Sequence, residues 1–195
     1  YQDGADLLLN EYVESQFVFG DGYSYGAELL LKKNVGKLSG WLGYTLSQTE
    51  RKFPDINNGA PYPASNDRTH DLSLTLMYKL NSKWDLSANW VYHTGQAVTY
   101  PSGKYLIDGQ TVNYYNDRNS YRMPDYHRLD LGATYNFKKR GRYESNLNLS
   151  VYNAYGQKNP YTIYFRENED DPSITEAVKI YLYQFFPSIS YNFTW

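Results

Sequence analysis

Phe186-Pro-Ser-Ile-Ser-Tyr-Asn-Phe-Thr-Trp195 alternates residue by residue and then stops. Ile189, Tyr191, Phe193 and Trp195 have one parity; Ser188, Ser190, Asn192 and Thr194 have the other. Successive side chains on a strand point to opposite faces, so this segment is apolar and aromatic on one side, small and polar on the other. Strands of a membrane β-barrel with a wet lumen have this character, with aromatic residues gathered where the strand meets the bilayer interface. Whether the rest of the chain repeats the pattern decides the fold.

Six more segments repeat it. Residues 25–33 place Tyr25, Ala27, Leu29 and Leu31 on one face, and residues 37–48 oppose Leu38, Gly40, Leu42, Tyr44 and Leu46 to Ser39, Trp41, Gly43, Thr45 and Ser47. Residues 69–79 oppose Leu72, Leu74, Leu76 and Tyr78 to Asp71, Ser73, Thr75 and Met77. Residues 83–94 oppose Trp84, Leu86, Ala88, Trp90 and Tyr92 to Asp85, Ser87, Asn89 and His93. Residues 126–137 oppose Leu129, Leu131, Ala133, Tyr135 and Phe137 to Arg128, Asp130, Thr134 and Asn136. Residues 143–153 oppose Leu147, Leu149 and Val151 to Asn146, Asn148 and Ser150, and the last strand begins near Tyr183. Each is close to the roughly 9–11 residues with which a tilted strand crosses a bilayer. No 3.6-residue period competes over these windows.

The gaps carry separate information. Asn34–Gly36, Leu80–Lys83 and Lys138–Arg142 are short and rich in Gly, Asn and Lys, whereas residues 49–68, 95–125 and 154–182 are long and polar. Short and long alternate without exception, which puts all short turns at one end of an antiparallel sheet. Outer-membrane barrels have this asymmetry, with short periplasmic turns and long extracellular loops; the strands of a soluble sandwich are joined by turns of comparable length. In that frame Tyr78, Trp84, Tyr135, Phe137, Tyr143, Phe193 and Trp195 are expected at the short-turn interface, and Tyr191 among the interface aromatics. Tyr25, Trp90, Tyr92, Tyr126 and Phe185 are expected toward the other interface.

Composition agrees. The chain of 195 residues holds 23 Tyr, 8 Phe and 4 Trp. Tyrosine buried in a dry core needs a partner for every hydroxyl, whereas a bilayer interface wets one end of the ring. Mean hydropathy is −0.71, and no stretch approaches the roughly 20 apolar residues of a membrane helix. With 19 Lys and Arg against 21 Asp and Glu, no polybasic nucleic-acid footprint exists. The absence of Cys excludes thiolate metal sites and disulfide frameworks. Tyr1 is followed by no basic region and apolar core, so any secretion signal is expected to be missing or already removed. Seven strands do not close a barrel, because single-chain bacterial barrels have even counts and lipid tolerates no open edge. Residues 1–24, with Leu7–Leu9 and Phe17–Phe19, are expected to be an external loop following a preceding strand, and the chain to be the last arc of a larger barrel.

Several blocks carry a family resemblance: Gly22-Tyr-Ser-Tyr-Gly-Ala-Glu-Leu-Leu-Leu-Lys-Lys33, Gly36-Lys-Leu-Ser-Gly-Trp-Leu-Gly-Tyr-Thr-Leu46, Tyr62-Pro-Ala-Ser-Asn-Asp-Arg-Thr-His-Asp-Leu-Ser73 and Asn119-Ser-Tyr-Arg-Met-Pro-Asp-Tyr-His-Arg-Leu-Asp-Leu131. Tyr152-Asn-Ala-Tyr155, Asn159-Pro-Tyr161 and Pro187-Ser-Ile-Ser-Tyr-Asn-Phe193 complete the set. In this order the blocks resemble the C-terminal strands of TonB-dependent outer-membrane receptors, in particular the subgroup with an N-terminal carboxypeptidase-regulatory-like domain. The resemblance implies a 22-stranded barrel with a plug in the bacterial outer membrane, taking up a siderophore, glycan, peptide or cofactor with energy relayed by TonB. It implies that residues 25–195 supply about the last seven strands. Plug and TonB box would then lie in an absent N-terminal part, and this segment alone would not transport. Its partners would be membrane lipid, the rest of its own barrel and plug, TonB, the barrel assembly machinery and, in some relatives, a surface lipoprotein. The alternatives are a small closed outer-membrane barrel with a structural or adhesive role and a soluble Tyr-rich β-sandwich that binds carbohydrate.

Site chemistry is sparse. No nucleophile stands with a base and no Gly-rich phosphate loop occurs, so no catalytic residue, cofactor or metal site is assigned. His70 lies within Asp67-Arg-Thr-His-Asp71, but on a strand His70 and Asp71 face opposite sides, which suits hydrogen bonding better than metal ligation. The acidic run Glu167–Asp171 lacks EF-hand spacing and reads as a solvated tip. Glu28, Lys32, Asp71, Lys79, Asp85, Arg128 and Asp130 share the polar face, where they are expected to line the lumen, either as an ion and hydrogen-bond network along the wall or against a plug, or as a ligand path; facing lipid they would be very costly. For ligand contact, the loop at residues 95–125 concentrates Tyr100, Tyr105, Tyr114, Tyr115, Arg118, Tyr121 and Arg122. Rings and guanidinium groups suit sugars, peptides and aromatic chelates.

Overall fold

The computed structural model describes residues 17–107, 110–139, 141–168, 170–171 and 174–195. Leu7–Leu9 and Glu169 of the acidic run lie outside the described residues. Fourteen strands follow in order: β1 (Asp21–Lys33), β2 (Leu38–Lys52), β3 (Tyr62–Pro63), β4 (His70–Lys79), β5 (Trp84–His93), β6 (Ala97–Val98), β7 (Gly103–Ile107), β8 (Gln110–Tyr114), β9 (Tyr121–Arg122), β10 (Tyr126–Asn136), β11 (Glu144–Tyr152), β12 (Pro160–Glu167), β13 (Thr175–Tyr181) and β14 (Phe186–Thr194). A 3-10 turn at Asn57–Gly59 is the only helical element among the described residues. The architecture is all-β.

The seven long strands lie side by side in sequence order, β1-β2-β4-β5-β10-β11-β14. The pairs from β2–β4 through β11–β14 are antiparallel. Among the described residues β1 and β14 are the sheet's two end strands. Register settles the faces, because Cα partners share a side. One row runs Leu42, Leu74, Trp90, Leu129, and the next runs Gly40, Leu76, Ala88, Leu131, Val151, Pro187. On the opposite side the rows are Trp41, Thr75, Asn89, Asp130 and Thr134, Asn148, Ser190. A slip of one residue would exchange these faces throughout, so the pattern itself holds the register.

Among the described residues nothing covers the leucine face. Among the described residues the buried apolar side chains are Tyr62, Ala64, Ala97 and Met123, and none of them belongs to a long strand. Leu29, Leu38, Leu86, Leu131, Leu149 and Ile189 are instead 50, 41, 37, 44, 42 and 68 % exposed. A contiguous apolar surface of this kind in water invites aggregation. In lipid it is the required outer surface. A β-sandwich would bury these same leucines, so the soluble alternative fails on this point.

Two differences from the sequence pattern have physical causes. β1 begins at Asp21, four residues before its alternation becomes legible. Gly20 and Gly22 look like turn residues, yet a Cβ on Gly20 would stand 2.4 Å from the carbonyl oxygen of Lys52, so glycine there allows a close chain approach. The long connections also contain paired elements: β7 with β8, β6 with β9, and β12 with β13. Phe17–Phe19 form no strand.

The chain divides into two compact units. One includes Phe17–Tyr25, Gln48–Asp67 and Gln96–Arg122; the other comprises Gly26–Ser47, Arg68–Gly95 and Met123–Trp195.

Candidate functional site

The first unit gathers the ligand candidates. Beyond Ser47, β2 continues and pairs with β3, placing Arg51 opposite Tyr62 and Glu50 opposite Pro63. Tyr62 is 4 % exposed and its ring lies 6.4 Å from that of Phe53. Asp67, 2 % exposed, accepts the Thr49 amide at 2.6 Å through Oδ1. The Arg122 guanidinium engages the other carboxylate oxygen and also donates to the Asp67 carbonyl at 3.2 Å. Burial without such a partner would be prohibitive for the charge. Arg122 itself is set by the β6–β9 pairing, opposite Ala97. One ion pair thus ties residues 48–67 to residues 96–122.

Asparagines hold the turns. Asn57, at φ 51°, donates from Nδ2 to the Arg118 carbonyl at 3.0 Å and accepts the Arg118 amide on Oδ1 at 2.7 Å. Asn119, at φ 55°, donates to the Pro63 carbonyl at 2.9 Å, while its amide donates to Thr99 Oγ1 at 2.9 Å. Asparagine tolerates the left-handed backbone better than other non-glycine residues, because its short amide bonds locally. The result is a frame in which the Arg118 backbone is gripped on both sides.

Within that frame the structure sorts the sequence candidates. Tyr105, Tyr114, Tyr115 and Tyr121 are exposed, and Tyr105 and Tyr114 meet edge to face with centroids 6.3 Å apart. Tyr121 stacks on Tyr100 at 5.4 Å, and burial pushes the Tyr100 phenol above its ordinary pKa. Arg118 is exposed, whereas Arg122 is committed to Asp67. A cavity of about 250 Å³ opens beside Arg118, lined also by Val18, Arg51, Phe53, Ile56, Tyr62, Ser65 and Asn119. Sequence reading missed Arg51, Phe53 and Tyr62 because they lie in a different connection from Arg118. Their only local signal was an arginine two residues from a phenylalanine.

In the second unit the polar face is a bonded network. Arg128 reaches Asp130 at 2.8 Å, donates to the Tyr126 and Tyr152 hydroxyls at 2.9 Å each, and lies 4.2 Å over the Tyr152 ring. Asp130 also accepts the Asn153 amide at 2.9 Å. Asn136 donates to Asp85 at 2.7 Å, Asn148 to Thr134 at 2.8 Å, and Asp71 lies 3.7 Å from Arg68. Glu28 has the parity of Ser24, whose hydroxyl meets that of Thr49 at 2.8 Å. Tyr126 belongs to this face too. It pairs with His93 and stacks on it at 4.7 Å, which removes it from the apolar interface group.

The apolar face carries a chain of rings along its short-turn rim. Trp84, Tyr135, Phe137, Tyr191, Phe193 and Trp195 follow one another with centroid separations of 5.0, 5.0, 6.1, 6.4 and 5.4 Å. Tyr78 pairs with Leu86 one row inward, and Trp90 stacks on Tyr92 at 6.2 Å farther along. His70 shares its face with Leu46, where Nδ1 lies 2.9 Å from the Tyr44 hydroxyl, while Asp71 stands on the other face opposite Thr45. Among the described residues no three His, Asp or Glu side chains converge on a point suited to a metal ion.

A two-faced sheet with an aromatic rim, segregated turns and an unburied leucine surface describes a membrane barrel wall. A family model for the β-barrel of TonB-dependent receptor-like proteins matches residues 2–154. No curated protein and no solved structure matches the chain. The family is a class of outer-membrane receptors and transporters rather than enzymes. The matched span covers most of the chain, so the protein belongs to the TonB-dependent receptor-like β-barrel family.

Proposed function

We propose that these strands are the C-terminal arc of a TonB-dependent transporter that imports a scarce nutrient such as a siderophore, glycan, peptide or cofactor. The observation that carries this is the pairing of an unburied leucine face with a hydrogen-bonded polar face across one sheet. The edges β1 and β14 add to it. Their backbone groups need partners in lipid, and further strands of the same barrel would supply them. A plug against the polar face and TonB, reached through an N-terminal part, would complete the machine. The connections at 49–68, 95–125 and 154–182 then face the exterior, with Tyr105, Tyr114 and Tyr115 offered to the ligand and Arg122 holding the frame. A surface lipoprotein would dock on that same side.

Trypsin added to intact cells tests the orientation. Cleavage is expected after Lys104, Arg118 and Lys158, with Lys138 and Lys139 cut only after the outer membrane is opened; the reverse order discards the reading. Alanine at Tyr105, Tyr114 and Tyr115 together in the full-length receptor should lower uptake at unchanged membrane abundance, and unaltered uptake removes these residues from the ligand path. β14, rich in aromatic residues at an edge of the sheet, suits recognition by the barrel assembly machinery. Deleting Phe193–Trp195 should therefore reduce the assembled fraction, and normal assembly would contradict that role.

A further inference from the structure

We infer that the cavity between the β2–β3 pair and the segment preceding β9 recognises one oxyanion end group, a carboxylate or phosphate, attached to a ring. This rests on the receptor function proposed above.

Size and lining define the occupant. The volume of about 250 Å³ corresponds to roughly eight water molecules at ~30 Å³ each. That is smaller than the roughly 300–1,000 Å³ pockets that enclose whole ligands, so it suits one end group of a larger nutrient. Val18, Ile56 and the Phe53–Tyr62 ring pair supply apolar surface on which a ring packs. Arg51 and Arg118 supply charge. The other described arginines are already engaged: Arg68 with Asp71, Arg122 with Asp67, Arg128 with Asp130, Arg166 with Glu176, and Arg142 over the Tyr143 ring. Among the described residues Arg51 and Arg118 alone have neither a carboxylate nor a ring partner, and both line this cavity.

Arg51 and Arg118 are exposed residues lining the same cavity, so an anion entering it meets two arginines that have no carboxylate partner among the described residues. Their forked donors match the geometry of carboxylate and phosphate oxygens. The backbone beneath them is fixed in advance: Asn57 clamps Arg118 through two hydrogen bonds, and cross-strand pairing holds Arg51 beside Tyr62. Fixing the frame beforehand reduces the ordering cost of binding.

Ligand-observed NMR on the full-length receptor in detergent micelles tests this with benzoate, phenyl phosphate and benzamide. At least one of the two anions should bind tighter than neutral benzamide by about tenfold or more, the value of one charged hydrogen bond. The stronger anion identifies the end group. Replacing Arg51 and Arg118 together (R51Q/R118Q) should erase that preference while benzamide binding stays, and each single substitution should erase part of it. Equal binding of all three probes, or an anion preference that survives both substitutions, overturns the inference. TonB-dependent uptake measured in parallel separates the two readings. Absent uptake by the wild type with intact anion preference removes the transport reading, whereas normal uptake without that preference removes this inference alone.

Discussion

Replacing Arg122 by alanine strips the buried Asp67 carboxylate of its cation and leaves it only the Thr49 amide. Removing one partner of a buried ion pair costs about 3–5 kcal/mol, because an uncompensated charge stays behind. The two side chains are unequally placed, 36 % exposed for Arg122 and 1 % for Asp67. Partial access of water to the guanidinium puts the cost at the lower end, near ~3 kcal/mol. The reciprocal change, Asp67→Ala, leaves Arg122 its bond to the main-chain carbonyl of residue 67 and orphans the Thr49 amide, costing about 1–3 kcal/mol. The order R122A above D67A is the distinctive consequence, with the double variant costing less than the sum. Hydrogen exchange on the full-length protein in detergent reads it directly. Peptides containing Ala64–Asp67 should exchange about a hundredfold faster in R122A, following from ~3 kcal/mol. Peptides from β10 and β11 should keep wild-type rates. Wild-type exchange in R122A, or faster exchange in D67A than in R122A, would refute the argument.

Two further substitutions probe the sheet. Leu131 lies in the apolar row between Ala88 and Val151, so Leu131→Arg should cost about 2–4 kcal/mol in lipid, seen as a lower heat-modifiable fraction in outer membranes. Ser150→Arg, on the polar face opposite Gly132, should leave that fraction within error, and equal losses would contradict the facing. Asn153 is fully buried at φ 53°, bonding Gln157 through both amide atoms at 2.8 and 3.0 Å. Asn153→Ala should cost about 2–4 kcal/mol by combining left-handed strain with orphaned backbone groups. Asn153→Gly should fall between Ala and wild type, with proteolysis at Lys158 reporting the order.

Most of the sheet was legible because its signal has period two and is repeated. Leu72, Leu74, Leu76 and Tyr78 sort by parity alone, and their partners Tyr92, Trp90, Ala88 and Leu86 do so independently. Agreement between neighbours then fixes the register. The charges followed from the same parity: Arg128 and Asp130 lie two residues apart on one face and meet as an ion pair. Tyr126 has the aromatic character of an interface residue, but its even position, in step with Arg128, puts it on the polar face. The cavity was not legible. Arg51 and Arg118 are separated by 67 positions, and their segments are brought together by the Asn57–Arg118 bonds, the Asn119–Pro63 bond and the Asp67–Arg122 ion pair. A side-chain amide that grips a distant backbone leaves no periodic trace. Asp67 and Arg122 leave no mark of each other in the sequence for the same reason, one lying near His70 and the other within a tyrosine-rich loop.

The central claim is that lipid meets the leucine face and water or a plug meets the polar face. These 195 residues contain no cysteine, so a single cysteine placed at Leu74, Leu131 or Leu149, or at Thr75, Asn148 or Ser150, is the only one among them. Spin labels on the full-length receptor in outer-membrane vesicles then report collision with oxygen, which concentrates in lipid, or with a water-soluble nickel chelate. The account predicts oxygen access at the three leucine positions and chelate access or protein contact at the other three. Chelate access at the leucines, or protection of all three from both reagents, would contradict it.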